Sequence, residues 1–201
     1  MKKIIFTLCM ISLITVSWSQ ARIPVNDPGT NTKPNNNPPA NNTGNTNTSS
    51  ELKKYSDPQS RFSIGYPNDW KIEDKTDNAI IQITSPAEGD NDKFRQYVNL
   101  QIESLSSGTT IEEYVKTNMD AVKDMVKGYK EVSSMYFNRN GAKAYQIIYK
   151  GKYGDMTYDI QIKQLFTIAN GKGYVLTYIS KEDERDAFET TANKIFNSFK
   201  Y

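Results

Sequence analysis

The side chains of this 201-residue sequence that could do chemistry are carboxylates, tyrosines and lysines: there is no histidine, and Cys9 is the single cysteine. Without imidazole there is no Ser–His or Cys–His pair to generate a nucleophile and no histidine ligand for a metal, and one cysteine makes no intrachain disulfide. Catalysis would have to use two carboxylates facing each other across a pocket, as glycoside hydrolysis does. No spacing in the sequence singles out such a pair, so the chain is expected to be noncatalytic and to carry no cofactor. The most oxygen-rich stretch is Glu88-Gly89-Asp90-Asn91-Asp92. Hard cations take several converging oxygens, but this stretch lacks the glycine position and the final glutamate of an EF-hand loop and reads as a solvated turn. The remaining concentration is aromatic. Of 13 tyrosines, Tyr145, Tyr149, Tyr153, Tyr158, Tyr174 and Tyr178 fall close together in the C-terminal half. They are the candidate binding surface, because tyrosine joins apolar area to a polar tip; the same residues also make ordinary cross-strand pairs. Pro67 and Trp70 read as structural, fixing a strand-to-turn corner.

Charge narrows the partners. There are 25 basic and 23 acidic side chains, no run of Lys or Arg is longer than two, and Lys2 and Lys3 lie at the extreme N-terminus. A nucleic-acid partner calls for a strong basic excess or stripe, and with Lys2 and Lys3 set aside the charges balance.

The elements that must position these residues begin after a long prelude. Met1-Lys2-Lys3, an apolar run from Ile4 to Val16, and Ser17-Trp18-Ser19-Gln20 are the three zones of a secretory signal peptide. Residues 1–19 are read as that signal, with cleavage between Ser19 and Gln20. The run is shorter than the roughly 20 residues of a membrane span, so the cleaved chain is not expected to be an integral membrane protein. Cys9 follows Leu8 and too short an apolar stretch for lipidation, and leaves with the signal. Residues 20–50 are rich in Asn, Pro, Thr, Gly and Ser, and beyond Val25 offer little apolar surface to offset the entropy of ordering; they read as a disordered linker. A coil of ~30 residues has a mean reach of roughly 30 Å.

Residues 51–201 carry enough apolar periodicity for one core. Alternation predicts strands at Phe62-Ile64-Tyr66, Ile80 to Ile83, Val98-Leu100-Ile102, Tyr129 to Phe137, Ala142 to Tyr149, Met156 to Ile168 and Tyr174 to Ile179. Asn140-Gly141 suits a type I′ hairpin; Gly151 to Gly154 and Asn170-Gly171-Lys172-Gly173 suit slightly longer ones. Thr109 and Thr110 precede Glu112 and Glu113 by a capping-box spacing, opening a helix whose face is Ile111, Val115, Met119, Val122 and Val126, ending at Gly128. Ser180 is expected to cap a second helix, with Glu182, Asp183 and Glu184 in its first turn and Phe188, Ala192, Ile195 and Phe199 as its buried stripe. The fold class is α+β, an antiparallel β-sheet flanked by helices.

Phe62-Ser63-Ile64-Gly65-Tyr66-Pro67-Asn68-Asp69-Trp70, then Thr110-Ile111-Glu112-Glu113-Tyr114, then Ile195-Phe196-Asn197-Ser198-Phe199 together resemble PsbP-like domains over nearly all of residues 51–201. The resemblance implies an α/β/α sandwich of exported, noncatalytic proteins, some of which are extrinsic subunits on the lumenal side of photosystem II. The linker stands where plant members carry an N-terminal docking segment, so the fold transfers and the photosystem does not. The reading is an extracytoplasmic module, periplasmic or secreted, that docks on an envelope protein or complex. A small-ligand or lipid carrier with a tyrosine-lined pocket is the alternative, and a carboxylate hydrolase the third.

Overall fold

The computed structural model describes residues 51–76, 79–182 and 185–201. The signal peptide, its cleavage point, Cys9, the linker, Asp183 and Glu184 lie outside the described residues. In chain order the elements are β1 (Lys53–Ser56), β2 (Ser63–Tyr66), β3 (Lys71–Thr76), β4 (Ala79–Thr84), β5 (Tyr97–Ser104), α1 (Ile111–Met125), β6 (Val126–Arg139), β7 (Ala142–Tyr153), β8 (Ile160–Ala169), β9 (Lys172–Lys181) and α2 (Arg185–Ser198). β1 and β2 form a separate hairpin, and the other seven strands form one antiparallel sheet in the order β3-β4-β5-β9-β8-β7-β6.

Burial explains that order. β8 and β9 are almost wholly buried on both faces, as strands covered from two sides must be. β6, at one edge, is exposed along most of its length. On one face α1 lays Ile111, Tyr114, Val115, Met119 and Val122 over Ile147, Tyr149, Ile162, Phe166, Val175 and Ile179. On the other, Ala192, Ile195 and Phe196 of α2, with Phe199 and with Phe62 and Ile64 of the hairpin region, cover Ile81, Ile83, Leu100, Leu165 and Leu176. The result is an α/β/α sandwich with two cores divided by one sheet. Among the described residues no helix is long and apolar enough to cross a membrane.

Local chemistry sets the boundaries. Thr110 caps α1: the Glu113 N–H donates to Thr110 Oγ1 at 3.2 Å, and the Thr110 N–H donates to Glu113 Oε2 at 3.0 Å. The helix stops at Met125 rather than at Gly128 and passes straight into β6 with no connecting residue. Gly128 sits instead at φ +69° within a bulge of β6. Asn140 and Gly141, both with positive φ, close the β6–β7 hairpin across the Arg139–Ala142 pair. Asn170 and Gly171 repeat that two-residue turn across Ala169 and Lys172, tighter than the loop expected.

Other expectations also change. β8 begins at Ile160, because the chain reverses after β7 in a turn at Gly154 and Asp155, closed by the Met156 N–H on the Tyr153 carbonyl, and Met156–Asp159 form the rest of that loop. Ser180 is no helix cap: β9 stays paired with β8 as far as Lys181, which keeps Ser180 fully buried in the sheet. β1 and β3 were not foreseen; each is short, and β3 carries one apolar residue, Ile72.

Candidate docking surface

The six candidate tyrosines do not share a face. Register places Tyr145, Tyr149 and Tyr153 of β7 on the α1 side of the sheet, and Tyr174 and Tyr178 of β9 on the α2 side. Tyr149, Tyr174 and Tyr178 are 1%, 1% and 3% exposed. Tyr149 donates its hydroxyl to Gln164 Oε1 at 3.2 Å, and Tyr174 stacks 5.4 Å from Tyr201 and lies 6.0 Å from Phe199. Tyr153 is half-buried, its hydroxyl 3.4 Å from the sulfur of Met125. Tyr158 lies at the periphery, edge-on to Phe94 at 5.8 Å, with Lys181 over both rings. Tyr145 is partly open and lies 4.6 Å from Tyr136 of β6.

Tyr136 leads to a surface that the sequence reading missed. Three large apolar side chains of β6 face solvent: Val132 (50% exposed), Met135 (55%) and Tyr136 (42%). Among the described residues β6 pairs with β7 alone, so alternate backbone groups on its other side are open. A two-residue hairpin is closed by a hydrogen-bonded pair, here Arg139 and Ala142. Counting back in twos, Ser134, Tyr136 and Asn138 turn their N–H and C=O groups away from β7. The two halves of the edge differ. Bulges between Lys127 and Lys130 and between Glu131 and Ser133 twist the N-terminal half, which is also charged, whereas Ser133 to Asn138 keep a regular register and carry no charge. Beside this flat stretch, Lys143 lies 4.7 Å from the Tyr136 ring and forms an ion pair with Glu112 of α1. Burial, with Glu112 adding to it, raises the Tyr136 hydroxyl above its ordinary range, so the ring presents a neutral polar tip.

The acidic stretch at 88–92 is an exposed turn that hydrogen-bonds to itself and to its flanks. Asp92 accepts from the Glu88 N–H at 3.1 Å and the Phe94 N–H at 3.0 Å and pairs with Arg95, and Glu88 accepts from the Gln96 amide at 3.2 Å. Its two best-placed carboxylates thus brace their own loop, which with Lys181 borders an open depression. Among the described residues no group of three acidic, cysteine or histidine side chains is arranged to hold a metal. Elsewhere Asp57, Glu112, Glu113 and Asp120 are held below the usual carboxylate range by hydrogen bonds, from Arg61, Lys143, Thr110 and Lys116 respectively. A general acid needs the opposite shift. Trp70 is buried with its ring edge-on to Phe188 at 5.5 Å, and its backbone N–H donates to the carbonyl of the buried Pro67 at 3.2 Å, which fixes the corner into β3.

A family model described as PsbP-like protein matches residues 9–201. No curated protein matches the chain. Among solved structures, cyanobacterial PsbP (CyanoP) from Synechocystis sp. PCC 6803 is similar at 19% identity and a TM-score of 0.53, covering 75% of this chain and 92% of that one. LpqN of Mycobacterium tuberculosis, described as involved in cell envelope biogenesis, is similar at 14% identity and a TM-score of 0.54, covering 74% and 83%. Protein PA94 of Pseudomonas aeruginosa is similar at 13% identity and a TM-score of 0.53, covering 74% and 95%. At these identities the likeness is one of fold.

Proposed function

The chain belongs to the PsbP-like family, and on that premise we propose that it is a noncatalytic, extracytoplasmic module that docks on an envelope protein or complex through the open edge of β6, with residues 20–50 as spacer. The observation that carries the reading is the flat, uncharged stretch from Ser133 to Asn138, where outward backbone groups coincide with the exposed Met135 and Tyr136. An extended segment of a partner can add to such an edge as a further strand, its main chain supplying affinity and its side chains meeting alternate faces. The fold shared with LpqN, a protein described by its role in the cell envelope, supports the compartment. A carrier would need room among its tyrosines, and Tyr149, Tyr174 and Tyr178 are packed against neighbours instead.

In-cell cross-linking of the tagged protein, followed by mass spectrometry, tests this. A partner captured by the unmodified chain should fall at least about tenfold in yield with Tyr136→Ser and with Ser134→Pro, which removes one outward N–H while leaving the ladder to β7 intact. Capture unchanged by both substitutions would remove the β6 edge from the reading. Absence of any partner above background would remove docking itself.

A further inference from the structure

The opposite end of β6 carries a different feature. Lys130 stands directly across from Lys150, and Lys127 across from Lys152, so two like-charged pairs follow one another along the β6–β7 ladder. Register puts all four on the α2 side of the sheet: Lys150 is level with Gln161 and Ser180, one row beyond Ile148, Lys163 and Tyr178. Lys127 and Lys130 are exposed, and Lys150 and Lys152 are half-exposed. Among the described residues Glu182 offsets Lys150, while Glu131 lies level with Tyr149 on the α1 side. Like charges directly opposed in a sheet weaken it. Lysines on an edge strand deter wrong pairing, which accounts for Lys127 and Lys130. It does not account for Lys150, which lies between β6 and β8, nor for Lys152, which stands one residue past the end of the β7–β8 ladder and doubles the charge opposite Lys127. The same side of the sheet carries Met135, level with Gln146 and Leu165, and the half-exposed Ile148, while Val132 protrudes from the second bulge.

We propose that this corner of the sheet is a contact surface for an anionic phospholipid bilayer. Four ammonium groups on one face meet lipid phosphates without needing any single geometry, and Met135 and Val132 stand where they can enter the headgroup boundary. No enclosed pocket is required, and among the described residues none of the four lysines is ion-paired apart from Lys150 with Glu182. The surface lies on the α2 side, whereas Tyr136 and Tyr145 face the α1 side. Bilayer contact and strand addition at the edge can therefore be broken separately.

The experiment is co-sedimentation of the exported full-length chain with vesicles of phosphatidylcholine alone and of phosphatidylcholine mixed with phosphatidylglycerol. Binding is expected to the mixed vesicles only, to weaken steeply as salt is raised, and to fall about fivefold for each of Lys127→Gln and Lys152→Gln. Both variants relieve a like-charge pair and should melt no lower than the parent, so lost binding will not reflect lost folding. Lys116→Gln, on the outer face of α1, should bind as the parent does. Equal binding to both vesicle types, or binding insensitive to salt in the unmodified chain, would overturn the proposal. So would retention on immobilised polyglutamate with no vesicle binding, which would assign the lysines to an acidic protein.

Discussion

Asp57 shows how one residue is made to matter by its surroundings. Its buried carboxylate accepts four hydrogen bonds, from the backbone N–H groups of Gln59 and Arg61 at 3.1 Å each and from two nitrogens of the Arg61 guanidinium at 2.8 Å each. The guanidinium bonds hold its pKa below the ordinary value more strongly than burial raises it. A carboxylate whose folded-state pKa is depressed stabilises the fold fully above its unfolded value, near 3.9, and loses that contribution as pH falls through the lower folded value. Urea midpoints measured at about pH 6 and about pH 3 should therefore fall for the parent and fall less for Asp57→Asn. At about pH 6 the variant should already be weaker by roughly 2 kcal/mol, since a charged partner of Arg61 has become neutral. An equal acid response in the two proteins would place the sensitivity elsewhere. This cluster was not anticipated from the sequence, because Asp57 and Arg61 are ordinary in type and only the turn through Ser60, at φ 56°, folds one onto the other.

Elements in this fold are joined by close approaches that leave no slack. Tyr114 of α1 rests its ring on Gly173 of β9, where an added Cβ would lie 2.5 Å from the ring. Gly173→Ala should cost about 1–3 kcal/mol by overpacking, and much less in a Tyr114→Ala background; chemical denaturation of the four proteins of this cycle gives the coupling directly. Additive losses would mean that the helix and strand do not meet there. The helix cap and most strands were legible in the sequence, because Thr110 with Glu113, and the alternation of β5 and β9, are patterns of the local chain. What was hidden depends on pairing. β3 is almost wholly polar because one of its edges and much of one face meet water, so alternation gave no signal. The alternation through Met156 continues past the true start of β8, since turn residues are free to mimic it. The tyrosines of β7 and β9 recur every fourth residue, so each strand keeps its own on one face, yet the two strands present them to opposite cores, a matter of register that neither segment contains. The exposure of Val132, Met135 and Tyr136 was likewise invisible, because β6 reads like its neighbours until it is seen to have a partner on one side only.

Across the whole molecule a single sheet serves as the floor of two cores, so neither core can be lost while the other keeps its strands. Trp70 belongs to the α2-side core, and among residues 51–201 it is the sole tryptophan. Its fluorescence therefore reports one core, while far-UV circular dichroism reports both. The two should trace the same urea transition, as a two-state domain requires; a fluorescence change that precedes loss of the circular dichroism signal would show that the cores come apart separately. The strand order has a kinetic consequence as well. β3, β4 and β5 reach β8, β7 and β6 only through β9, the last strand in the chain and the one at the centre of the sheet. Loop closure between β5 and β9 must bring together segments separated by α1, β6, β7 and β8, which is slow compared with forming hairpins. A chain threading outward from its N-terminus would thus carry two unfinished half-sheets until its final segment emerges. Under the export proposed above, with the chain crossing the membrane N-terminus first, the late arrival of its central strand would delay folding until passage is nearly complete.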